Sequence, residues 1–326
     1  MNIIGIDVSK TKLDCLWLKD AVTGKAKSKV FPNTEKGYQA LNVWIEKQIQ
    51  QPIGVSHVVV EATGIYHENL AYALFKSGVQ VSIINPAQIN NYAKSLGTRS
   101  KTDKKDSMVI ARYGATQRPR LWQPEPDEIR ILKALIARLE ALEQDIGREE
   151  NRLEKVQIAC ASDEVTTSIK TVLAQLKKEK QRLESLIDQH IDQNPGLKKD
   201  RQLLESIPGV GPVISRYMMA IIRSREFVSA PQCAAYLGLV PIAHESGSSI
   251  RGRARLSKAG NAKVRAKLYM AAVVSIQYNP AIKIQYERLL KNGKVKMSAL
   301  CAAMRKLVHI CFGVLKHQQP YQTQTL

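Results

Sequence analysis

Residues 1–117 alternate short apolar runs with helical patterns, which predicts an α/β layer fold. Ile3 to Asp7, Leu13 to Leu18 and Lys27 to Phe31 read as three successive strands, with Lys-Asp and Thr-Gly punctuation between the second and third. A meander suits them. Residues 35–50 suit a helix, His57 to Val60 a buried strand ending at Glu61, Asn69 to Lys76 a helix and Val79 to Ile84 another strand. The predicted order is β-β-β-α-β-α-β-α.

After Arg118-Pro119 the apolar period lengthens. Leu132, Leu135, Leu139, Leu142, Ile146, Leu153 and Val156 keep a three-four rhythm, with polar Glu149 at one seam position. Ile169, Leu173, Leu176, Leu183, Ile187 and His190 repeat it, interrupted by Lys180. Two antiparallel helices forming a coiled-coil hairpin are the simplest result, an arm or dimerisation device rather than a place for chemistry. Asn194-Pro195-Gly196 ends the arm, and a basic, more helical domain follows. Three segments are expected: 1–120, 121–195 and 196–326. Gln318 to Leu326 read as a loose tail.

Charge narrows the function classes. The 326 residues carry a formal net charge of +20, and the pI is near 9.7. That balance predicts attraction to polyanions, with nucleic acid the leading partner. Residues 247–326 hold fifteen Lys or Arg against one acid, Glu287, whereas residues 123–195 hold eleven basic and fifteen acidic residues. A basic membrane-surface binder would place its apolar residues in one long stripe, whereas here they are mixed with Gly and Ser. No leader pattern precedes Ile3, and no apolar run approaches about eighteen residues, so a cytoplasmic protein without a membrane partner is expected. The five cysteines are widely spaced and form no Cys-x-x-Cys pair, which fits free buried thiols better than zinc.

The chemistry-bearing residues of the first segment are acidic. Asp7 follows a buried strand directly, at the end where a sheet opens to ligands, and Glu61 ends Val58-Val59-Val60 in the same way. Asp103 and Asp106 follow Thr102, a good helix cap, and their i, i+3 spacing puts both on one helix face. Four oxygen donors can meet if the two strands are neighbours. Such a set suits Mg²⁺ or Mn²⁺, and two ions about 3.5–4 Å apart would stabilise the attacking and leaving oxygens of a phosphodiester. Ile-Gly-Ile-Asp-Val-Ser-Lys also suits the first phosphate loop of the actin and sugar-kinase superfamily. No second phosphate loop or adenosine loop accompanies it, so a ribonuclease-H-like nuclease fold is the better reading.

In the last segment, Pro208-Gly209-Val210-Gly211 separates two helical stretches and looks like a helix-hairpin-helix, whose turn at Gly209 and Gly211 can offer backbone N–H groups to phosphate. Residues 230–240 are apolar and read as core. The stretch from His244 combines Ser246, Ser248 and Ser249 with Arg251, Arg253, Arg255, Lys258, Lys263 and Arg265, which suits a loop against a phosphate backbone. A serine hydroxyl could attack phosphorus there. Composition alone does not separate Ser246 from Ser248 or Ser249.

These segments together resemble, nearly end to end, the DEDD transposases of the insertion-sequence one-ten (IS110) family, relatives of pilin-gene invertases. The resemblance rests on Gly5-Ile6-Asp7, Glu61-Ala62-Thr63-Gly64, Ile84-Asn85-Pro86, Lys101-Thr102-Asp103 with Asp106, Glu205 through Gly211, and Glu245-Ser246-Gly247-Ser248-Ser249 through Ser257-Lys258-Ala259-Gly260. It implies a RuvC-like domain, a coiled-coil connector and a helical transposase domain carrying the serine. It makes Asp7, Glu61, Asp103 and Asp106 a metal-binding tetrad and Ser246 the nucleophile. It also implies a structured bridge RNA pairing with donor and target DNA, and a dimer of dimers in which Ser246 of one subunit completes the tetrad of another. A bacterial protein associated with the nucleoid when active would follow. Two rival expectations remain: a RuvC-type Holliday-junction nuclease using metal-activated water, and a non-catalytic architectural protein that binds junctions.

Overall fold

The structure is a computed structural model that describes residues 2–97, 103–159, 162–246 and 250–322, without the side chains of 103–104, 243–246 and 250–254. Thr102, Cys160, Ser248, Ser249 and the tail beyond residue 322 therefore lie outside the described residues. Two compact units divide between Pro124 and Glu125.

In the first unit, β1 (Asn2–Val8), β2 (Lys12–Leu18) and β3 (Ala26–Pro32) form the expected meander. Then come α1 (Glu35–Ile49), β4 (Ser56–Glu61), α2 (Glu68–Lys76), β5 (Gln80–Ile84), α3 (Pro86–Ser95) and α4 (Asp103–Gln117). The sheet order is β3-β2-β1-β4-β5, with β1, β4 and β5 parallel. This mixed five-stranded sheet is the arrangement expected of a ribonuclease-H-like domain. Strands β1 and β4 are buried almost throughout, which explains their unbroken apolar runs.

Alternation along β1 divides the core between the two sheet faces. Ile4, Ile6, Val58 and Val60 pack under α1 and α2 with Leu41, Trp44, Leu70 and Leu74. Ile3, Leu16 and Val59 pack on the other face with Ile89, Val109, Ile110 and Ala111 of α3 and α4. Side-chain caps fix the helix entries: Thr34 Oγ1 accepts from Gly37 N, and Asn85 Oδ1 accepts from Ala87 N with Pro86 next to it. The chain leaving α4 is held on β5. Trp122 N donates to Val81 O at 2.6 Å, Ser82 Oγ donates to Arg120 O at 2.8 Å, and the Trp122 ring meets Tyr72 and Phe75 edge-on.

The second unit opens with the coiled-coil hairpin α5 (Asp127–Ile158) and α6 (Asp163–Gln193). It continues with α7 (Pro195–Glu205), α8 (Pro212–Arg223), α9 (Ala230–Tyr236), β6 (Pro241–Ser246), β7 (Ile250–Leu256), α10 (Ala262–Tyr278), α11 (Pro280–Lys291) and α12 (Lys296–His317). The buried seam of the hairpin runs through Ile129, Leu132, Ile136, Leu139, Leu142 and Ile146, facing Leu173, Leu183, Ile187 and Ile191. Leu135, Leu153, Val156, Ile169 and Leu176 are only half-buried. His190 leaves the apolar seam altogether, its Nε2 lying 2.8 Å from Glu128 O. Lys180 is accommodated by Glu143 at 3.8 Å and Glu184 at 3.9 Å.

The base of the hairpin shares one hydrophobic cluster with α7 to α12. Polar ties reinforce it: Tyr217 Oη donates to Glu140 at 2.7 Å, and Arg216 donates to Asp188 at 2.7 Å. Residues 230–240 contribute Cys233, Ala234, Leu237 and Leu239 to this core, as their composition predicts. Cys15, Cys233 and Cys311 are free and buried, with burial pushing the Cys233 thiol up to about 12. No contiguous apolar run approaches eighteen residues, yet by length and composition α12 is apolar enough to cross a membrane, because the charges that interrupt it are few. Here it serves as a core helix, burying Leu307, Val308, Cys311 and Phe312 among others.

Candidate active site

The parallel register of β1 and β4 brings the first two acids side by side. Ile6 pairs with Val60, so Asp7 and Glu61 are the next residues along adjacent strands. Ile3, Gly5 and Asp7 share one sheet face by alternation, as do Val59 and Glu61. Ile3 and Val59 belong to the core beneath α4, so both acids occupy the face that α4 covers.

Two glycine-mediated approaches set the course of α4. A Cβ on Gly5 would stand 2.3 Å from Ser107 O and 2.5 Å from Ala111 N. At the other end, a Cβ on Gly114 would stand 2.5 Å from Val59 Cγ2 and 3.1 Å from Ile3 Cγ2. Helix α4 therefore runs antiparallel to β1, and its first turn, which contains Asp103 and Asp106, lies toward the strand ends that carry Asp7 and Glu61. Asp7, Glu61 and Asp106 are half-buried. The Asp103 side chain is outside the described set, and among the described residues no three acidic, histidine or cysteine side chains form a metal-sized group.

A fifth acid stands in the same neighbourhood. Asp14 is directly opposite Asp7 in the β1/β2 register, on the same sheet face, and Lys12 Nζ lies 3.1 Å from its carboxylate. The sequence reading missed it because it lies inside a strand rather than at its end. Its signal was the alternation of β2, which puts Asp14 in line with Leu16 and Leu18 of the α4-side core.

The residues singled out in the second unit divide into exposed and engaged groups. Gly209 has φ 93°, and a Cβ there would stand 2.1 Å from Ser275 Oγ, so this glycine is required by packing against α10. Gly211 caps α8 and faces open space. Ser246 ends β6 opposite Ile250 at the start of β7. The expected serine loop is thus a β-hairpin: β7 alternates Arg251, Arg253 and Arg255 with Ile250, Gly252, Ala254 and Leu256, a period of two made faint by its small residues, while β6 shows none. In the backbone register Arg251 faces Glu245; Arg253 lies two residues along β7, and Arg255 and Lys258 are exposed.

The roots of the hairpin are closed. Ser257 N donates to Val240 O at 2.9 Å and Lys258 N to Gly238 O at 3.2 Å. Arg265 donates to the carbonyls of Leu237 and Gly260, one on either side of the hairpin. Lys263 Nζ lies 3.1 Å from Glu140 Oε2. These two cations therefore carry structural partners, whereas Arg255 and Lys258 show no side-chain hydrogen bond or ion pair among the described residues.

Comparison with known proteins gives a consistent picture over most of the chain. Residues 4–157 match a family described as transposase, of the DEDD IS110 type, and residues 201–287 match the transposase IS116/IS110/IS902 family. The chain is 34% identical over 322 residues to the pilin gene-inverting protein of Moraxella bovis, covering 98% of this chain and 97% of that protein. It is 25% identical over 358 residues to the transposase for insertion sequence element IS1111A of Coxiella burnetii, covering 99% and 92%. T. thermophilus RuvC in complex with a Holliday junction substrate matches 37% of this chain and 99% of its own at 18% identity, with a TM-score of 0.26.

Proposed function

Because this chain belongs to the IS110 family of transposases and is a DNA recombinase, we propose that it mobilises an insertion sequence by covalent strand exchange, guided by a bridge RNA. Asp7, Glu61, Asp103 and Asp106 form the acidic site and Ser246 is the nucleophile. The observation that carries this reading is the side-by-side placement of Asp7 and Glu61 on the face covered by α4, with Asp103 and Asp106 in the overlying first turn.

An all-carboxylate donor set suits Mg²⁺ or Mn²⁺, which when bound would offset phosphate charge and favour ionisation of a hydroxyl. The Ser246 Oγ–phosphorus bond forms as one phosphorus–oxygen bond of the strand breaks. The serine proton passes to a base, and the departing DNA hydroxyl takes one up. Attack by a hydroxyl of another strand reverses these changes and restores both a phosphodiester and the free serine. The step conserves bond energy and needs no nucleotide cofactor. Arg251, Arg253, Arg255 and Lys258, with the N–H groups about Gly211, would hold phosphates, and Ser248 and Ser249 would join them.

Sequence choice through a bridge RNA that pairs with donor and target DNA agrees with a chain whose surplus charge suits duplex backbones. A dimer of dimers would let Ser246 of one subunit serve the acidic site of another. Gel analysis of cleavage products after protease treatment tests the chemistry. Ser246→Ala should abolish a protein–DNA adduct, as should Asp7→Asn and Glu61→Gln. Free 5′-phosphate ends without any adduct would mark a RuvC-type hydrolase instead, and full tolerance at Asp7 and Glu61 an architectural protein. Sequencing of RNA that copurifies with the chain tests the guide, which would be rejected if no structured RNA complementary to the element ends were recovered.

A further inference from the structure

We infer that Asn33 is a positioning residue for the acidic site, because its single carboxamide ties together the two backbone segments that leave Asp7 and Glu61. This rests on the reading of those two acids as one site.

Asn33 lies between β3 and the Thr34 cap of α1. Its Nδ2 donates to Ser9 O at 2.9 Å and to Tyr66 O at 3.1 Å. Ser9 is two residues beyond Asp7, in the turn that closes with Ser9 N donating to Lys12 O at 2.9 Å. Tyr66 is in the loop that follows Glu61, where Thr63 N donates to Glu61 O at 2.9 Å and Tyr66 N to Thr63 O at 3.2 Å. The β1/β4 register runs only as far as Ile6 and Val60. Asn33 supplies the cross-connection beyond it, on the far side of the two carboxylates.

The amide is itself oriented. Tyr38 Oη donates to Asn33 Oδ1 at 2.6 Å, and the Tyr38 ring is buried under the sheet. Because the carbonyls of Ser9 and Tyr66 can only accept, the nitrogen end must face them, and the Tyr38 hydroxyl then holds the oxygen end in place. Asn33 N is fixed as well, donating to Thr11 O at 2.9 Å. An aspartate would present acceptors to two carbonyl oxygens, and a serine would be too short to span them. A neutral bridge suits this place for a further reason. Two carboxylates on adjacent strands repel each other, and a shared cation needs their separation set before it arrives.

The test is Mn²⁺ binding to the full chain without DNA, followed by electron paramagnetic resonance of the free ion, alongside thermal unfolding. Asn33→Leu, which has nearly the same shape, should weaken Mn²⁺ binding by about tenfold, within the range seen when groups that orient metal ligands are removed. Tyr38→Phe should weaken it several-fold while leaving the unfolding temperature within a few degrees. Added to Asn33→Leu, it should weaken binding no further, because the two substitutions act through one amide. Asp7→Asn serves as the control and should abolish binding. If Asp7→Asn abolishes binding while Asn33→Leu and Tyr38→Phe leave it unchanged, the role of Asn33 is overturned and the acidic site stands. If Asp7→Asn has no effect, both fall. Should Asn33→Leu fail to fold, Tyr38→Phe decides the matter, since it keeps the buried ring and the packing.

Discussion

Gly5 lies so close beneath Ser107 that a single added methyl would stand 2.3 Å from the Ser107 carbonyl oxygen. Backbone, and not a flexible side chain, would have to move. Gly5→Ala should therefore lift the first half of α4 from β1 and carry Asp103 and Asp106 away from Asp7. The expected cost is about 1–3 kcal/mol of stability, typical of overpacking, with strand cleavage lost in a chain that remains folded. Circular dichroism together with a cleavage assay checks this. Cleavage at the parental rate would mean that α4 does not set the site.

The N-terminal unit should weaken in mild acid. Burial lowers the His57 pKa below that of ordinary imidazole, and His67 shifts the same way for the same leading reason. His57 Nε2 lies 2.8 Å from Ser82 Oγ, while its Nδ1 is buried without a hydrogen-bond partner among the described residues. In the unfolded chain the ring takes up a proton near pH 6.5; in the folded chain it does so only at lower pH. The unfolded state thus binds more protons in that window, and stability falls as pH drops from about 6.5 through the folded value. Thermal unfolding between pH 8 and pH 5 should show the decline, and His57→Gln should flatten part of it. An unchanged slope in that variant would assign the effect elsewhere.

Asp200 is 2% exposed and accepts from Arg223 Nε at 2.5 Å, from Arg223 Nη2 at 2.7 Å and from Gln318 Nε2 at 2.9 Å. Arg223→Met would leave a buried carboxylate with one neutral donor. Because the arginine is itself part-exposed, the loss should be toward the lower end for a broken buried pair, about 3 kcal/mol. Denaturant unfolding measures it, and a loss below about 0.5 kcal/mol would show the pair to behave as a surface one.

Arg265 and Arg255 should separate cleanly in DNA binding. Arg265 is engaged with two carbonyls at the hairpin roots, whereas Arg255 is exposed on β7. Arg255→Gln should reduce the dependence of log affinity on log salt by about one phosphate contact. Arg265→Gln should leave that slope alone and instead lower thermal stability. Equal changes in slope would show that Arg265 also reaches the DNA.

The strands and the acids at their ends were legible because β1 and β4 are buried on both faces and read as unbroken apolar runs that stop at a charge. What local pattern could not supply was adjacency. Asp7 and Glu61 meet only because β1 pairs with a strand some fifty residues further on, and the sequence reading had to make their convergence conditional on that pairing. Asp14 and Asn33 escaped for the same reason: one acts through cross-strand register and the other through bonds to two distant loops. The hairpin carrying Ser246 resembles a loop in sequence because β6 has no alternation and β7 sets its arginines against small residues such as Gly252 and Ala254, so its period of two carries little apolar signal. In the coiled coil the heptad was visible, but the seam shifts toward Ile129, Ile136 and Ile191 where α7 and α8 enclose the base.

The use of α12 as a core helix has a consequence for synthesis on the ribosome. The first unit is complete by Pro124, whereas the second cannot close until residues near His317 have emerged. At ordinary elongation rates that interval is on the order of ten seconds or more. Through it, the apolar faces of α7 to α10 wait for the helix that will cover them. Nascent chains stalled before Lys296 should therefore hold chaperones on the second unit while the first is already protease-resistant.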